Sequence, residues 1–316
     1  MEIFIVSCRP MASFKSIRAL PRAAQTRLAP TPSGFLHLGN VLSFAITAYL
    51  ARRTGARILL RIDDLDRERV QPEYLDDIFE TLKFLDIPWN TGPKTTTDFR
   101  EKWSQYTRMN RYHAALQKLE REKQVFACEC SRAQIAAAAP DGSYPGTCLH
   151  KKIDLHQPNV QWRLKTRPGR IISVNRLAAP PLKSTLPALM HHFVVRKKDG
   201  APAYQLASLV DDLEMGNDLV IRGVDLWPST WAQLYLADIL QEKAFSATAF
   251  VHHPLLLQRN GNKLSKSAGA TSIQYLRKQG MKKEEIFGEV ARLLGSTPCC
   301  SNWKDLGRLM EKNFAP

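Results

Sequence analysis

The 316-residue chain is poor in several things, and each shortage excludes a class of protein. No run approaches the roughly 20 consecutive apolar residues that span a bilayer. The apolar segment Ile3-Phe4-Ile5-Val6 is too short for a secretory core and has no small-residue cleavage site. Six cysteines in a chain of this length do not make a disulfide scaffold. Acidic residues are scarce, 30 against 45 Lys or Arg, and the resulting formal charge of +15 favours an anionic partner such as nucleic acid, nucleotide or membrane surface. Internal repeats are missing, and the only homopolymer is Ala136–Ala139. Two phosphate-loop signatures are missing too. Gly34 and Gly39 have the P-loop separation, but Asn40 and Val41 follow where Lys and Ser or Thr are required, and no G-x-G-x-x-G follows a strand.

What is there supports a folded α/β protein. Hydrophobic residues make up 44% and charged residues 24%, enough for a packed core and incompatible with global disorder. The charge is not spread evenly. Residues 151–200 hold eleven Lys or Arg against two Asp, nine of the +15, which suggests a binding face. Residues 11–27 are acid-free and carry Lys15, Arg18, Arg22 and Arg27. They look like a basic leader, with Met11 as an alternative start, so residues 1–26 are expected to precede the fold. The expected compartment is the cytoplasm.

Periodicity orders the rest. Arg27-Leu28-Ala29 suggests a short strand, followed by a Pro/Ser/Gly turn over 30–34 and a helix from Gly39 to Arg53. Val41, Leu42, Ala45, Ile46, Tyr49 and Leu50 would share one side of that helix, and Gly55 would stop it. Arg57–Ile62 is an apolar strand, and Pro72 opens a second helix ending near Leu85. Strand, helix, strand, helix predicts a parallel sheet with ligands at the carboxyl ends of its strands. From Cys128 to His150 the composition shifts to Cys, Gly, Pro and Ala, as in an inserted metal-bound loop, and 160–200 is β-rich. The α/β pattern resumes with a helix from Tyr204, a strand over Leu219-Val220-Ile221, a helix from Ser229 and a strand near Leu255, before helical periodicity over Glu284–Leu294.

Two short segments carry the chemistry. The turn from Pro30 to Asn40 feeds a helix whose N-terminus offers free N–H groups to an anion, with Gly39 permitting close approach and His37 able to donate to a phosphate or ribose oxygen. Taken alone, His37 is more simply read as a histidine packed at a helix start. The second segment follows the tight turn Asn260-Gly261: Lys263-Leu264-Ser265-Lys266-Ser267 places two lysines three apart, suited to closing over a polyphosphate. Alone it is an ordinary solvated loop.

Together these segments resemble the "HIGH" and "KMSKS" signatures of class I aminoacyl-tRNA synthetases, here His37-Leu38-Gly39-Asn40 and Lys263–Ser267. Arg27-Leu28-Ala29-Pro30-Thr31-Pro32-Ser33-Gly34 is similar to the "R-x-A-P-S-P-T-G" of glutamyl-tRNA synthetases and unlike the "F-P-P-E-P-N-G" of glutaminyl enzymes. Arg61-Ile62-Asp63-Asp64-Leu65-Asp66 resembles their "R-I-E-D-[LT]-D", and Arg222-Gly223-Val224-Asp225-Leu226 the segment that supplies a substrate arginine. The match covers residues 27 to about 270. It implies a Rossmann-type parallel sheet of class I synthetase kind, split by a zinc-containing insertion. It also implies formation of a glutamyl-adenylate from L-glutamate and ATP with Mg²⁺, then transfer to tRNA. The resemblance assigns His37, Lys263 and Lys266 to catalysis, with His37, Gly39 and Lys266 at ATP. It assigns Arg27, Leu28, Ala29, Pro30, Thr31, Asp63, Tyr204 and Arg222 to glutamate. Arg27 and Arg222 would take the γ-carboxylate. Asp63 stands where the family has Glu, with a shorter side chain for which a bridging water could compensate.

Coordination chemistry alone selects Cys128, Cys130, Cys148 and His150 as a zinc set, because thiolates with an imidazole are usual in structural sites. The resemblance implies otherwise. C-x-C…Y-x-x-x-C is the zinc pattern of the glutamyl-Q tRNA(Asp) synthetases, which places Tyr144 as the fourth ligand and His150 as the alternative. Those paralogues activate glutamate without tRNA and attach it to queuosine at the wobble position of tRNA(Asp). Only 49 residues follow Ser267, too few for a helical anticodon-binding domain, which fits the same group. The expected organisation is then a leader (1–26), a first catalytic half (27–125), a zinc-containing and basic insertion (126–200), a second half with the KMSKS loop (201–270) and a helical tail (271–316), acting as a monomer without a membrane. The queuosine-bearing anticodon stem-loop would meet Arg163, Lys165, Arg167, Arg196, Lys197 and Lys198. The rival readings are the truncated catalytic domain of an ordinary glutamyl-tRNA synthetase, and a catalytically dead zinc-containing RNA-binding module.

Overall fold

A computed structural model describes residues 20–256, 272–296 and 300–313, with no side-chain detail for 312 and 313. Of the expected leader, residues 1–19 lie outside the described residues, whereas Leu20 is already packed in the core.

The first βαβ unit forms much as the pattern predicts. Strand β1 (Gln25–Leu28) pairs in parallel with β2 (Arg57–Leu60), Arg27 opposite Leu59. Helix α1 (Leu38–Thr54) joins them and ends at Gly55, whose φ of 77° is the left-handed cap expected of it. This helix is buried on nearly all sides rather than along one stripe. The reason is the tail: α9 (Ile273–Lys278), α10 (Lys283–Leu293) and α11 (Trp303–Asn313) follow in the chain, and α10 and α11 close over the face of α1 that the sheet leaves open. Glu311 of α11 is fixed there by Tyr49 and by Arg53, whose Nη1 lies 2.8 Å from its carboxylate.

The other parallel pair is β8 (Leu219–Gly223) with β9 (Ala249–His253). Asp218 ties it to β1, accepting from the amides of Ala24 and Gln25 and donating its own N–H to the Gln25 carbonyl at 3.1 Å. β9 stops before Leu255, where a strand was expected, because Pro254 has no N–H to give the ladder. Strand β5 (Ile171–Arg176) then adds to β9 in parallel, and β6 (Ala179–Thr185) closes the edge antiparallel. The pair β2-β1 and the four-stranded sheet β8-β9-β5-β6 lie side by side, β1 against β8, which gives the spatial sequence β2, β1, β8, β9, β5, β6. Part of the stretch expected to be an insertion thus extends the main sheet.

The remainder of that stretch forms a separate antiparallel sheet of β3 (Val125–Cys128), β4 (Gln161–Leu164) and β7 (Val194–Arg196). Helix α5 (Arg132–Ala138) lies between β3 and β4. α2 (Pro72–Phe84), the single turn α3 (Thr96–Asp98) and α4 (Met109–Arg121) link the two regions, and α6 (Tyr204–Glu214), α7 (Trp227–Ile239) and the short α8 (Lys243–Ser246) complete the second half. Among the described residues, no helix is long and apolar enough to cross a membrane.

Candidate active site

The carboxyl ends of β1, β2, β8 and β9 open onto a cavity of about 430 Å³. Leu28, Ala29, Thr31, His37, Gly39, Asp63, Tyr204, Arg27 and Arg222, all anticipated from the sequence, are on its wall. Pro30 is not. It is buried behind the wall, where its carbonyl accepts from the Asp63 amide at 3.0 Å and so holds the two loops together.

His37 is the N-cap of α1. Its Nδ1 accepts from the Gly39 amide at 3.0 Å, while Asn40 Oδ1 accepts from the His37 amide at 3.0 Å, a reciprocal capping box built on histidine instead of Ser or Thr. An imidazole whose Nδ1 accepts carries its proton on Nε2, so the ring is a neutral donor. Gly39 is required by contact: a Cβ there would fall 2.8 Å from His37 Cε1. The chain also returns to this turn after the KMSKS segment, since the Ile273 amide donates to the Leu36 carbonyl at 2.7 Å. Lys263 and Lys266 themselves lie outside the described residues.

Beneath this turn lies a buried charge cluster. Asp212 of α6, fully buried, accepts through Oδ1 from Arg27 Nε at 3.0 Å, Arg61 Nη1 at 2.8 Å and Asn217 Nδ2 at 3.0 Å. Burial opposes its ionisation, but the fields of Arg27, Arg61 and Arg222 prevail and hold its pKa below the ordinary carboxylate value. Arg61 reaches on to grip both oxygens of Asp63, at 2.7 and 3.0 Å. Burial nevertheless raises the Asp63 pKa against that pull. Asp63 is therefore already clamped, and an incoming ammonium would share it with Arg61. Tyr204, the first residue of α6, is 46% exposed and faces the cavity, so it is not a core aromatic.

Arg222 differs from the other two arginines. Only Nη1 is engaged, by Gln233 at 3.0 Å and Thr230 at 3.4 Å, while Nε and Nη2 are buried without a partner. Burial lowers its pKa to about 10. A guanidinium with one unpartnered edge, in a residue that lines a cavity, is suited to a bidentate carboxylate. Sequence reasoning did not single out Arg61 or Asp212 as site residues. The available signal was the spacing Tyr204, Ser208, Asp212, which repeats every four residues along one face of α6.

The cysteines converge as the spacing requires. The sulfurs of Cys128, Cys130 and Cys148 lie within 4.8 Å of one another, Cys130 and Cys148 at 3.6 Å. Tyr144 Oη is 3.4 Å from Cys128 Sγ and accepts from the Cys148 amide at 2.8 Å. His150 is exposed and outside the cluster, so Tyr144 is the better placed fourth donor. Burial opposes ionisation of Cys128, but hydrogen bonds from Tyr144, Gln161 and Arg163 bring its pKa to about 7. Three thiols and a phenol at this separation fit a structural zinc.

Of the six residues expected to contact phosphates, Arg163 is buried and the other five lie at the surface. Arg163 is buried mid-strand in β4, its guanidinium 3.9 Å over the Tyr144 ring and its Nη1 donating to the His192 carbonyl at 2.9 Å. Arg196 covers Trp162 at 5.0 Å, Lys165 and Lys198 donate to the carbonyls of Lys123 and Glu129, and Lys197 pairs with Asp199 at 3.5 Å. Arg167 is exposed.

Comparison with known proteins gives the family. Residues 23–306 match the family described as tRNA synthetases class I (E and Q), catalytic domain. A glutamyl-Q tRNA(Asp) synthetase of Symbiobacterium thermophilum is 36% identical over 285 residues, covering 85% of this chain and 86% of that protein. Glutamate–tRNA ligase 2 of Nitrosococcus oceani is 32% identical over 284 residues, which span 86% of this chain and 59% of that protein. In fold, the chain resembles the glutamate–tRNA synthetase of Elizabethkingia anophelis with a TM-score of 0.69 at 22% identity, covering 92% of this chain and 67% of that one. The chain belongs to the class I tRNA synthetases of the glutamate and glutamine group, and what it presents is their catalytic domain.

Proposed function

We propose that the protein activates L-glutamate with ATP in the absence of tRNA and transfers the glutamyl group to queuosine at the wobble position of tRNA(Asp). The observation that carries the glutamate reading is Arg222: a buried guanidinium with Nε and Nη2 unpartnered on the cavity wall. The γ-carboxylate meets that edge, with Arg27 behind it, and the ammonium meets Asp63 beside Arg61. This leaves the α-carboxylate directed at the N-terminus of α1. There His37 donates from Nε2, and Gly39 lets the phosphates approach the backbone. Attack of the α-carboxylate oxygen on the α-phosphorus releases pyrophosphate, whose charge Lys263 and Lys266 neutralise together with the Mg²⁺ that accompanies ATP. Positioning and charge stabilisation suffice for such a transfer, and no protein nucleophile is needed.

Cys128, Cys130, Tyr144 and Cys148 would hold one zinc, which cross-links the end of β3 to the loop before β4. The transfer to queuosine is supported by the cysteine–tyrosine constellation and by the relatives of that name. Glutamate-dependent ATP–pyrophosphate exchange without tRNA tests the first half, and the absence of exchange with any amino acid would defeat it. Charging of labelled glutamate onto queuosine-containing tRNA(Asp), and not onto tRNA(Glu), tests the second. Acceptance by tRNA(Glu) instead would make this the catalytic part of an ordinary glutamyl-tRNA synthetase. Lys266→Ala should slow adenylate formation and leave glutamate binding intact, and equal losses would contradict its role.

A further inference from the structure

His253, the last residue of β9, has no part in the chemistry above. It is 4% exposed, and its Nδ1 lies 2.8 Å from the Pro254 carbonyl. A carbonyl can only accept, so Nδ1 carries the proton and Nε2 presents a lone pair. That Nε2 is buried with no hydrogen-bond partner, and the residue lines the active-site cavity beside Asp225, Leu255 and Leu256. Burial lowers the pKa of the ring, which keeps it neutral and its acceptor available. An orphaned buried acceptor, in a residue that lines a cavity, asks for a donor from a ligand.

Position decides which ligand. Residues paired across parallel strands share a face, and consecutive residues alternate. Arg222 pairs with His252 and both contact Thr230, whereas His253 pairs with Gly223 and turns the other way, beside a position without a side chain. The carboxylate held by Arg222 is therefore on the wrong face. The ammonium is too far: Asp63 follows β2, and three strand spacings of about 4.8 Å separate β2 from β9, about 14 Å in all. The part of the substrates left to fill the β9 end is the nucleoside.

We propose that His253 Nε2 accepts a hydrogen bond from a donor on the adenosine half of ATP, either a ribose hydroxyl or the 6-amino group, and so sets affinity and selectivity for the nucleotide. The proposal rests on ATP being the activating substrate, as argued above.

Calorimetric titration of the full chain with ATP and Mg²⁺, without glutamate, provides the test. Wild type is compared with H253L, with H253F, which keeps ring volume, and with H253Q, whose amide oxygen can replace Nε2. Loss of one hydrogen bond should weaken ATP about tenfold in H253L and H253F, with KM for glutamate unchanged and most of the affinity restored in H253Q. An analogue lacking the donor should bind wild type about tenfold more weakly and the two apolar variants no worse than ATP does. 2′-Deoxy-ATP and 3′-deoxy-ATP report a hydroxyl, and the 6-dimethylamino analogue reports the amine. Equal ATP affinity in wild type, H253L and H253F would overturn the proposal. So would parallel losses for ATP and glutamate that H253Q fails to restore, or analogue discrimination that survives in both apolar variants. Wild type that binds ATP yet exchanges with no amino acid would defeat the activation reading, while the titrations would still decide the role of His253.

Discussion

Replacing Arg222 by Met separates a ligand-binding charge from a structural one. Methionine fills much of the same volume and removes the guanidinium. If Nε and Nη2 take the substrate's γ-carboxylate, the variant loses two charge-assisted hydrogen bonds of about 1.5–3 kcal/mol each, or about 3–6 kcal/mol together. At about 1.4 kcal/mol per factor of ten, that is at least 100-fold in KM for glutamate. Stability should respond differently. The bonds from Nη1 to Gln233 and Thr230 disappear, but so do two buried donors that have no partner in the free protein and a cation near Arg27 and Arg61. These changes oppose one another, and exchanging a poorly satisfied buried ion for an apolar side chain is often neutral or stabilising. The free energy of unfolding should therefore stay within about 1 kcal/mol of wild type or rise. Glutamate-dependent pyrophosphate exchange at saturating ATP measures the first effect and urea titration the second. A variant with unchanged KM for glutamate that is destabilised by about 3 kcal/mol or more would show Arg222 to be a structural ion, and the glutamate assignment would fail with it.

Three other outcomes follow from the same geometry. Metal analysis of purified protein should find about one zinc per chain, lost in Cys148→Ser, and a metal-free wild type would reduce the cysteines to core filling. Gly39→Ala places a Cβ 2.8 Å from His37 Cε1 and must displace the ring from its cap, so exchange should fall more than tenfold while zinc content is unchanged; full activity would show that the ring position is unimportant. The Asp212 carboxyl has a depressed pKa in the folded protein, so its stabilisation is complete above the unfolded value near 3.9 and is lost as pH falls through the lower folded value. Urea stability of wild type should therefore drop along an acid limb that is missing in Asp212→Asn, and identical acid limbs would remove Asp212 from the cluster's energetics.

What was legible in the sequence was mostly local. Helix α1, its stop at Gly55, the turn carrying His37 and the cysteine–tyrosine spacing each depend on residues within one turn or one loop. The addition of β5 to β9 and the pairing of Asp212 depend on partners far away in the chain; periodicity could place Asp212 on the Tyr204 face of α6, but it could not pair it with Arg27 and Arg61. Arg163 departs from its expected place for the same reason. Composition counts every arginine alike, yet Arg163 sits between Trp162 and Leu164 in the middle strand of a small sheet, where alternation and stacking on Tyr144 bury it. Even so, the excess of positive charge remains an argument about the surface. Among the described residues, Arg27, Arg61, Arg163 and Arg222 are the buried cations, and Asp64, Asp77, Asp211 and Asp212 are the buried acids. Four cancel four, so the core of the described residues takes up no net charge. The proposed nucleic-acid partner would be met by exposed side chains, such as Lys151, Lys152 and Arg167, and the buried arginines would be left to the small substrate.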